Sequence, residues 1–425
     1  MLYRRFSLAA GFIFISYLTL TCVTPSSASA QDTGPLVEQY LKDGKLAAGE
    51  EALKEHLQKN GDDQQARFGL GTLQFLRAVE GLGQSLYKFG AVGGDSDIGN
   101  FLPIVRMAVP QNPNPAPIDY ASFRNILQTF AEDLAAAEKT LAHVDDPDVQ
   151  LPLHFGTIRM DLNDDGELNQ EETLWRVYAS LNRGLRLNQT FTPEQAEEFV
   201  IDFDLADAYW LRGYCHLLTA ICDTLLAYDF EATFKYVARH TFAKVTKEME
   251  ASDVFDKHKY FDAWPISEAI AAIHVARFEL VEPMRMQAAR QHLLQVVELS
   301  RKTWEAVEVE TDDRAEWLPG PHQSGVIPNV RITPEMLRTW HDFLAESEQL
   351  LNGEKLVPHW QIKNDYGVNL KRIFDEPTDF DFVLWLHGDG LLSYIEEGEI
   401  TSRETWDQFN RMFRGQFIGF ALWFN

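Results

Sequence analysis

Between Asp161 and Glu172 the chain reads Asp-Leu-Asn-Asp-Asp-Gly-Glu-Leu-Asn-Gln-Glu-Glu, which places six carboxylates and three carboxamides in twelve residues. Asp161, Asn163 and Asp165 carry oxygen on alternate residues, and Gly166 follows at once. Such a run suits a small hard cation. Ca²⁺ takes about six to eight oxygen ligands at ~2.3–2.6 Å, and a loop of this length is able to wrap it completely. Without a cation the same carboxylates would crowd one turn and repel one another. Leu168 is the apolar residue within the run that would anchor it to a neighbouring element.

The twelve residues resemble the EF-hand calcium loop at every required position. The resemblance implies side-chain oxygens from Asp161, Asn163 and Asp165 at positions one, three and five, and a sharp turn at Gly166. It further implies a backbone carbonyl from Glu167, a contact through water from Asn169 and a bidentate carboxylate from Glu172. A chance match in a chain of this composition is on the order of 10⁻³. The exit side continues as a helix, with Leu174, Trp175, Tyr178, Leu181 and Leu185 near helical spacing. The entering side departs from the family, because Leu151-Pro152-Leu153-His154-Phe155-Gly156 holds both helix breakers. Dockerin modules use a similar loop in two copies, whereas this chain shows one. His387-Gly388-Asp389-Gly390 lacks the alternating carboxylates. An unpaired loop suits a structural clasp, since a sensor's switching depends on opposed helices. Extracellular modules of this kind bind at ~10⁻⁴–10⁻³ M.

The surrounding text is helical. Leu46 to Asn60 carries apolar residues at 46, 47, 53 and 57, breaks at Gly61-Asp62-Asp63, and resumes from Gln64 with Phe68, Leu70, Leu73, Phe75 and Leu76. This pair resembles one tetratricopeptide hairpin; a solenoid needs about three. The spacing predicts further helices over 119–144, 206–228, 266–280, 285–309, 334–351 and 401–413, with 206–228 apolar nearly all round and therefore central. Gly69, Gly71, Gly81 and Gly83 fall on helix-like text and are expected to permit close helix packing. Prolines at 110, 113 and 115, and again at 319, 321 and 328, mark loops. The expected fold class is mainly α, with packed helical hairpins and one calcium loop. Its regions are a helical hairpin over 31–110, a central helical region over 111–318 containing loop 161–172, and a C-terminal helical region over 319–425.

Met1 to Ala30 reads as a secretory signal, with Arg4 and Arg5 before an apolar core and Ala28-Ser29-Ala30 as the cleavage pattern. Export to a periplasmic or extracellular space is therefore expected, with no membrane span after cleavage. The 425 residues carry 64 acidic against 38 basic groups, a net charge of −26. That excess argues against a nucleic-acid partner, whose phosphates it would repel. Cys215 and Cys222 lie seven apart on one helical stretch, about 10 Å between Cα atoms, beyond disulfide reach.

No serine-hydrolase elbow, phosphate loop or histidine metal motif occurs in the chain. The scattered histidines read as surface or packed residues, and the acid pairs Asp145-Asp146 and Asp312-Asp313 as solvated turns. Trp210, Trp264, Trp340, Trp360 and Trp385 read as core, and the apolar end 417–424 as a buried terminal segment. The expected function is an exported calcium-binding protein whose ion clasps a helical binding or scaffold protein with a protein or glycan partner. The rival readings are a secreted carbohydrate-active hydrolase or lyase of helical fold, and a calcium sensor.

Overall fold

Helix α1 (Leu36–Lys42) leads into α2 (Leu46–Lys59), which ends where Gly61-Asp62-Asp63 interrupts the apolar spacing. Asp63 then accepts the Ala66 N–H at 2.9 Å and opens α3 (Gln64–Lys88). Helix α4 (Tyr120–Leu141) begins in the same way, with Asp119 accepting from Ser122 N–H. Its buried face carries Phe123, Ile126, Leu127, Phe130, Leu134 and Leu141, at the spacing the sequence displays. The computed structural model describes residues 35–91, 107, 109–169, 172–181, 192–247, 264–326 and 331–412. The expected signal segment 1–30 and the apolar end 417–424 lie outside these residues.

Beyond α4 the helices are α5 (Leu174–Leu181), α6 (Pro193–Glu198), α7 (Leu205–Leu226), α8 (Glu231–Thr241) and α9 (Trp264–Val275). They continue with α10 (Pro283–Val309), α11 (Pro334–Leu351), α12 (Leu370–Asp375), α13 (Phe382–His387) and α14 (Arg403–Met412). The fold is mainly α. Helix α7, apolar on most of its surface, packs chiefly between α10 and α4, which is the central place its text predicts. Cys215 and Cys222 on α7 are buried and unbridged.

Seven short strands among the described residues escape the helical reading. Strand β1 (Leu151–His154) pairs antiparallel with β2 (Val200–Phe203), Leu151 opposite Phe203. Strands β3 (Tyr228–Asp229), β4 (Arg277–Leu280) and β6 (Phe380–Asp381) form a three-stranded sheet in the order β3-β4-β6. Strand β5 (Tyr366–Val368) pairs with β7 (Ile395–Glu397). The helix expected over 266–280 stops at Val275, because Arg277–Leu280 is claimed on both sides by strand partners. Its side chains alternate outward and inward, with Arg277 and Glu279 exposed and Phe278 and Leu280 half-buried. A two- to four-residue strand is too short to show a period, so only its partners reveal it.

Most buried apolar residues belong to one continuous core running from Val37 to Phe409. The described residues from 35 to 412 make one compact unit. Trp340 lies in this core as expected, whereas Trp360 is 74% exposed and so is not a core residue. Trp210 and Trp385 are half-buried, and the side chain of Trp264 is outside the described set. Among the described residues, no helix is long and apolar enough to cross a membrane.

Glycines on α3 set how closely its neighbours approach. A Cβ at Gly71 would lie 2.5 Å from the Leu141 side chain, one at Gly83 2.6 Å from Leu162, and one at Gly69 3.0 Å from Val37. Gly81, expected to act in the same way, has nothing within 4 Å. Gly83→Ala is therefore expected to lose about 1–3 kcal/mol by overpacking. Gly81→Ala should gain up to about 1 kcal/mol from helix propensity. Urea unfolding of the two variants beside the parent checks the pair, and equal effects would refute the packing account.

Candidate functional site

The loop over 161–172 begins after β1 and a single 3₁₀ turn over 155–157, so no helix enters it. Its base is closed by backbone pairing instead. Arg159 bridges Thr173, Met160 N–H donates to the Glu172 carbonyl at 3.0 Å, and Leu174 N–H donates to the Ile158 carbonyl at 3.0 Å. Inside the loop the acidic side chains fold back onto their own backbone. Asp161 accepts from Asp165 N–H at 3.2 Å on one oxygen and from Gly166 N–H at 2.9 Å on the other. Asn163 Oδ1 accepts from Asp165 N–H, and Asp165 Oδ1 accepts from Glu167 N–H at 2.7 Å. Asp164 and Gly166 take φ of 57° and 74°, which let the chain turn within so few residues.

Glu172 is wholly buried, and its two oxygens tie the ends of the loop together. One accepts from Leu162 N–H at 3.1 Å; the other accepts from Asn169 N–H at 3.1 Å and from the Asn169 amide at 3.2 Å. All six residues singled out by the spacing thus share one turn, with Asn169 set against Glu172. Glu171 lies outside the described residues. The donor set is all oxygen and mostly anionic, on a loop with both ends fixed, and it contains neither sulfur nor imidazole. These residues fit Ca²⁺ and other hard dications in preference to zinc or copper.

What holds the loop from outside leaves no mark in the residue pattern. Glu80 on α3 accepts from Asp161 N–H at 2.9 Å, and Gln84, one turn on, donates to the Asp161 carbonyl at 2.8 Å. Burial pushes Glu80 up to about 7, aided by the charges of Asp161 and Asp164 and opposed by the Asp161 N–H. Leu162 is fully buried over Gly83, and Leu168 packs over Gly44. Leu168 is the anchor its position predicts, and the α1–α2 turn receives it.

A second acidic group lies away from the loop. Carboxylate oxygens of Asp204, Glu310 and Glu316 fall within 4.8 Å of one another, although the residues come from the start of α7, the end of α10 and the loop after it. Asp204 caps α7, accepting from Ala206 and Asp207 N–H, while Asp207 Oδ2 accepts from Asp204 N–H at 3.1 Å. Burial, and then the Asp204 charge, push Glu310 up to about 8. Burial pushes Glu316 up to about 7 against the Arg314 N–H it accepts. Asp204 and Glu310 are also hydrogen-bonded to each other, an arrangement that needs a proton between them. The one sequence signal for this group is Asp204-x-x-Asp207 ahead of an apolar run, a helix-start pattern that names neither glutamate. Asp312 and Asp313 are exposed, as a solvated turn requires, yet the Asp312 charge raises Asp204 and Glu316.

Two histidines are also more than separate packed residues. His216 on α7 and His292 on α10 meet ring nitrogen to ring nitrogen at 2.7 Å, with Glu138 3.5 Å from His216 and Asp223 3.8 Å from His292. Arg212 and Arg285 hold the two carboxylates at 2.9 and 2.8 Å. Burial, then the His216 charge, lower His292 below its ordinary value. No family model, curated protein or solved structure matches the chain.

The proton balance gives a direction for stability. Glu310 and Glu316 hold their protons to higher pH folded than unfolded, so the folded state binds more protons between about 4.5 and 8 and stability falls as pH rises there. His292, lowered by folding, acts in the opposite sense below 6.5. Glu80 and Asp207, raised by burial as well, act in the same sense as Glu310 and Glu316 and together outweigh the lowered imidazole, so the melting temperature should drop between pH 5.5 and 8 at fixed calcium. The double variant Glu310→Gln with Glu316→Gln is expected to make that drop shallower, leaving the part that Glu80 and Asp207 contribute. An equally steep drop in the variant would refute the assignment.

Proposed function

We propose that this is an exported calcium-binding protein in which one Ca²⁺, held by loop 161–172, fixes the chain between β1 and α5 as a structural clasp. The observation that carries the reading is the arrangement of Asp161 and Glu172: the first organises the turn through both oxygens, and the second ties its two ends. The ligands are Asp161, Asn163 and Asp165 through side-chain oxygens, Glu167 through its carbonyl, Asn169 through water, and Glu172 through its carboxylate. A clasp fits better than a sensor because the entering segment is a strand and one 3₁₀ turn, leaving no opposed helix pair to open. Export rests on the residue pattern of Met1 to Ala30. The protein takes the role of a helical scaffold or binding protein for a protein or glycan partner.

A glycan-cleaving reading has less support. The acidic group at Asp204, Glu310 and Glu316 adjoins an aromatic cavity of about 110 Å³ that is nearly all apolar, which is small and dry for a sugar ring.

Calcium titration by calorimetry on the chain from Gln31 is expected to give one saturable site near ~10⁻⁴–10⁻³ M. At a hundredfold excess over Kd the bound ion adds about 2.7 kcal/mol to stability, read as a rise in melting temperature. Asp161→Ala and Glu172→Ala should each abolish both effects. Absence of saturable heat at 10 mM calcium (~10-fold above the weakest expected Kd) would overturn the proposal.

A further inference from the structure

Helix α13 is apolar nearly all round, a composition that a helix carries when other elements cover it. Of its apolar residues only Trp385 turns half inward, its ring 5.0 Å from Phe380 and 6.2 Å from Tyr394. Phe382, Val383, Leu384 and Leu386 are each 40–57% exposed. The apolar surface continues past both ends of the helix. Phe382 N–H donates to the Ala276 carbonyl at 3.0 Å, which joins α13 to the end of α9, where Ile270 and Ile273 are exposed. At the other end Trp360, 74% exposed, donates its Nε1–H to the Leu386 carbonyl at 3.2 Å. At roughly 150–250 Å² for a large side chain, these seven residues leave on the order of 550–900 Å² open. Monomers seldom expose one apolar patch above ~300–600 Å², and each partner in a standard interface buries ~800 Å². The patch has the size of one half of an interface.

Charge around the patch selects what docks on it. The segments that carry it, 270–282, 358–366 and 377–392, hold six carboxylates against Arg277 and Lys363. Arg277 is paired with Asp381 at 2.9 Å, and Glu282 with Arg124 and Arg285. Glu279, Asp365, Asp379 and Asp389 remain exposed, Asp389 met by the His387 ring at 3.3 Å, and Lys363 is exposed against them. A second copy would bring the same acidic rim and a net charge of −26 against its like, and anionic lipid is repelled for the same reason. A partner with an apolar face bordered by Lys or Arg matches both the patch and its rim. We propose that this surface binds the apolar face of a basic amphipathic helix from a protein partner, its aliphatic side chains lying on Phe382, Leu386, Ile273 and Trp360 and its cations beside Glu279, Asp379 and Asp389. Such helices dock through residues three and four apart, and the exposed Trp360 ring attracts a cation besides. The proposal rests on the reading of the chain as a binding protein, whose partner class it names, and draws nothing from the calcium loop.

The probe is a leucine–lysine peptide of about 18 residues, ~27 Å long as a helix, with its leucines on one face. It is titrated by calorimetry into the chain from Gln31 at saturating calcium. Expected is saturable binding, with at least tenfold weaker binding (about 1.4 kcal/mol) of a leucine–glutamate peptide of the same pattern and of oligolysine. The double variant Phe382→Ser with Leu386→Ser should weaken leucine–lysine binding at least tenfold. Val309→Ser, at an exposed apolar residue on the far end of α10 from β4, should leave it unchanged. Absence of leucine–lysine binding, equal binding of the two amphipathic peptides, or unchanged binding by the double variant would overturn the proposal. So would an equal loss in Val309→Ser, binding to phosphatidylcholine vesicles that the double variant abolishes, or a parent dimer in sedimentation that the double variant returns to monomer. The peptide comparisons on the parent chain decide the matter even if the double variant does not fold. Calcium titration of the same samples separates failure here from failure of the clasp.

Discussion

The close approach allowed by the glycines of α3 is the constraint on which the rest of the structure depends. Gly69, Gly71 and Gly83 replace side chains that would otherwise push away Val37 of α1, Leu141 of α4 and Leu162 of the acidic loop. Interiors are packed to crystal density, so a single methyl at any of these places must displace a neighbour. One helix thereby fixes the positions of the N-terminal hairpin, the helix that flanks α7, and the loop. Glu80 and Gln84 then reach Asp161 from the same helix, and Thr72 and Phe68 line the cavity two to three turns earlier.

Charge is handled differently at the three polar centres. In the loop, carboxylates accept backbone N–H groups and lie mostly toward solvent, which keeps several negative charges tolerable in one turn. At Asp204, Glu310 and Glu316 the surroundings are more buried, and protons rather than counter-charges relieve the repulsion. Between α4, α7 and α10, the carboxylates of Glu138 and Asp223 are paired with Arg212 and Arg285, and the histidine pair sits between them. Burial and the availability of a partner, more than residue type, decide which solution each site adopts.

The excess of acid in the composition therefore has structural consequences beyond solubility. A net charge of −26 spread evenly over a surface would do little harm. Here several carboxylates are gathered by the fold, and each gathering stores free energy that a cation or a proton releases. The loop and the aromatic cavity flank the same segment, since Phe155 and Ile158 line the cavity shortly before Asp161 begins the loop.

The sequence by itself determined the long helices and the loop residues, but not the shorter helices α1, α8, α12 and α13. Apolar spacing of 3.6 residues is local, so the helices that became α3, α4 and α11 were legible without help from distant chain, and the structure shows Asp63, Asp119 and Thr333 capping them. The alternating oxygens from Asp161 to Glu172 are likewise local, because a twelve-residue loop supplies its own ligands. What the tertiary structure alone decided is everything that joins distant residues. Arg277–Leu280 became a strand only because Tyr228–Asp229 and Phe380–Asp381 lie beside it. His216 found His292, and Asp204 found Glu310 and Glu316, across separations that leave no mark in spacing. A buried carboxyl such as Asp207 reads in the sequence as an ordinary helix-start acid; its burial is visible only once distant chain has closed around it.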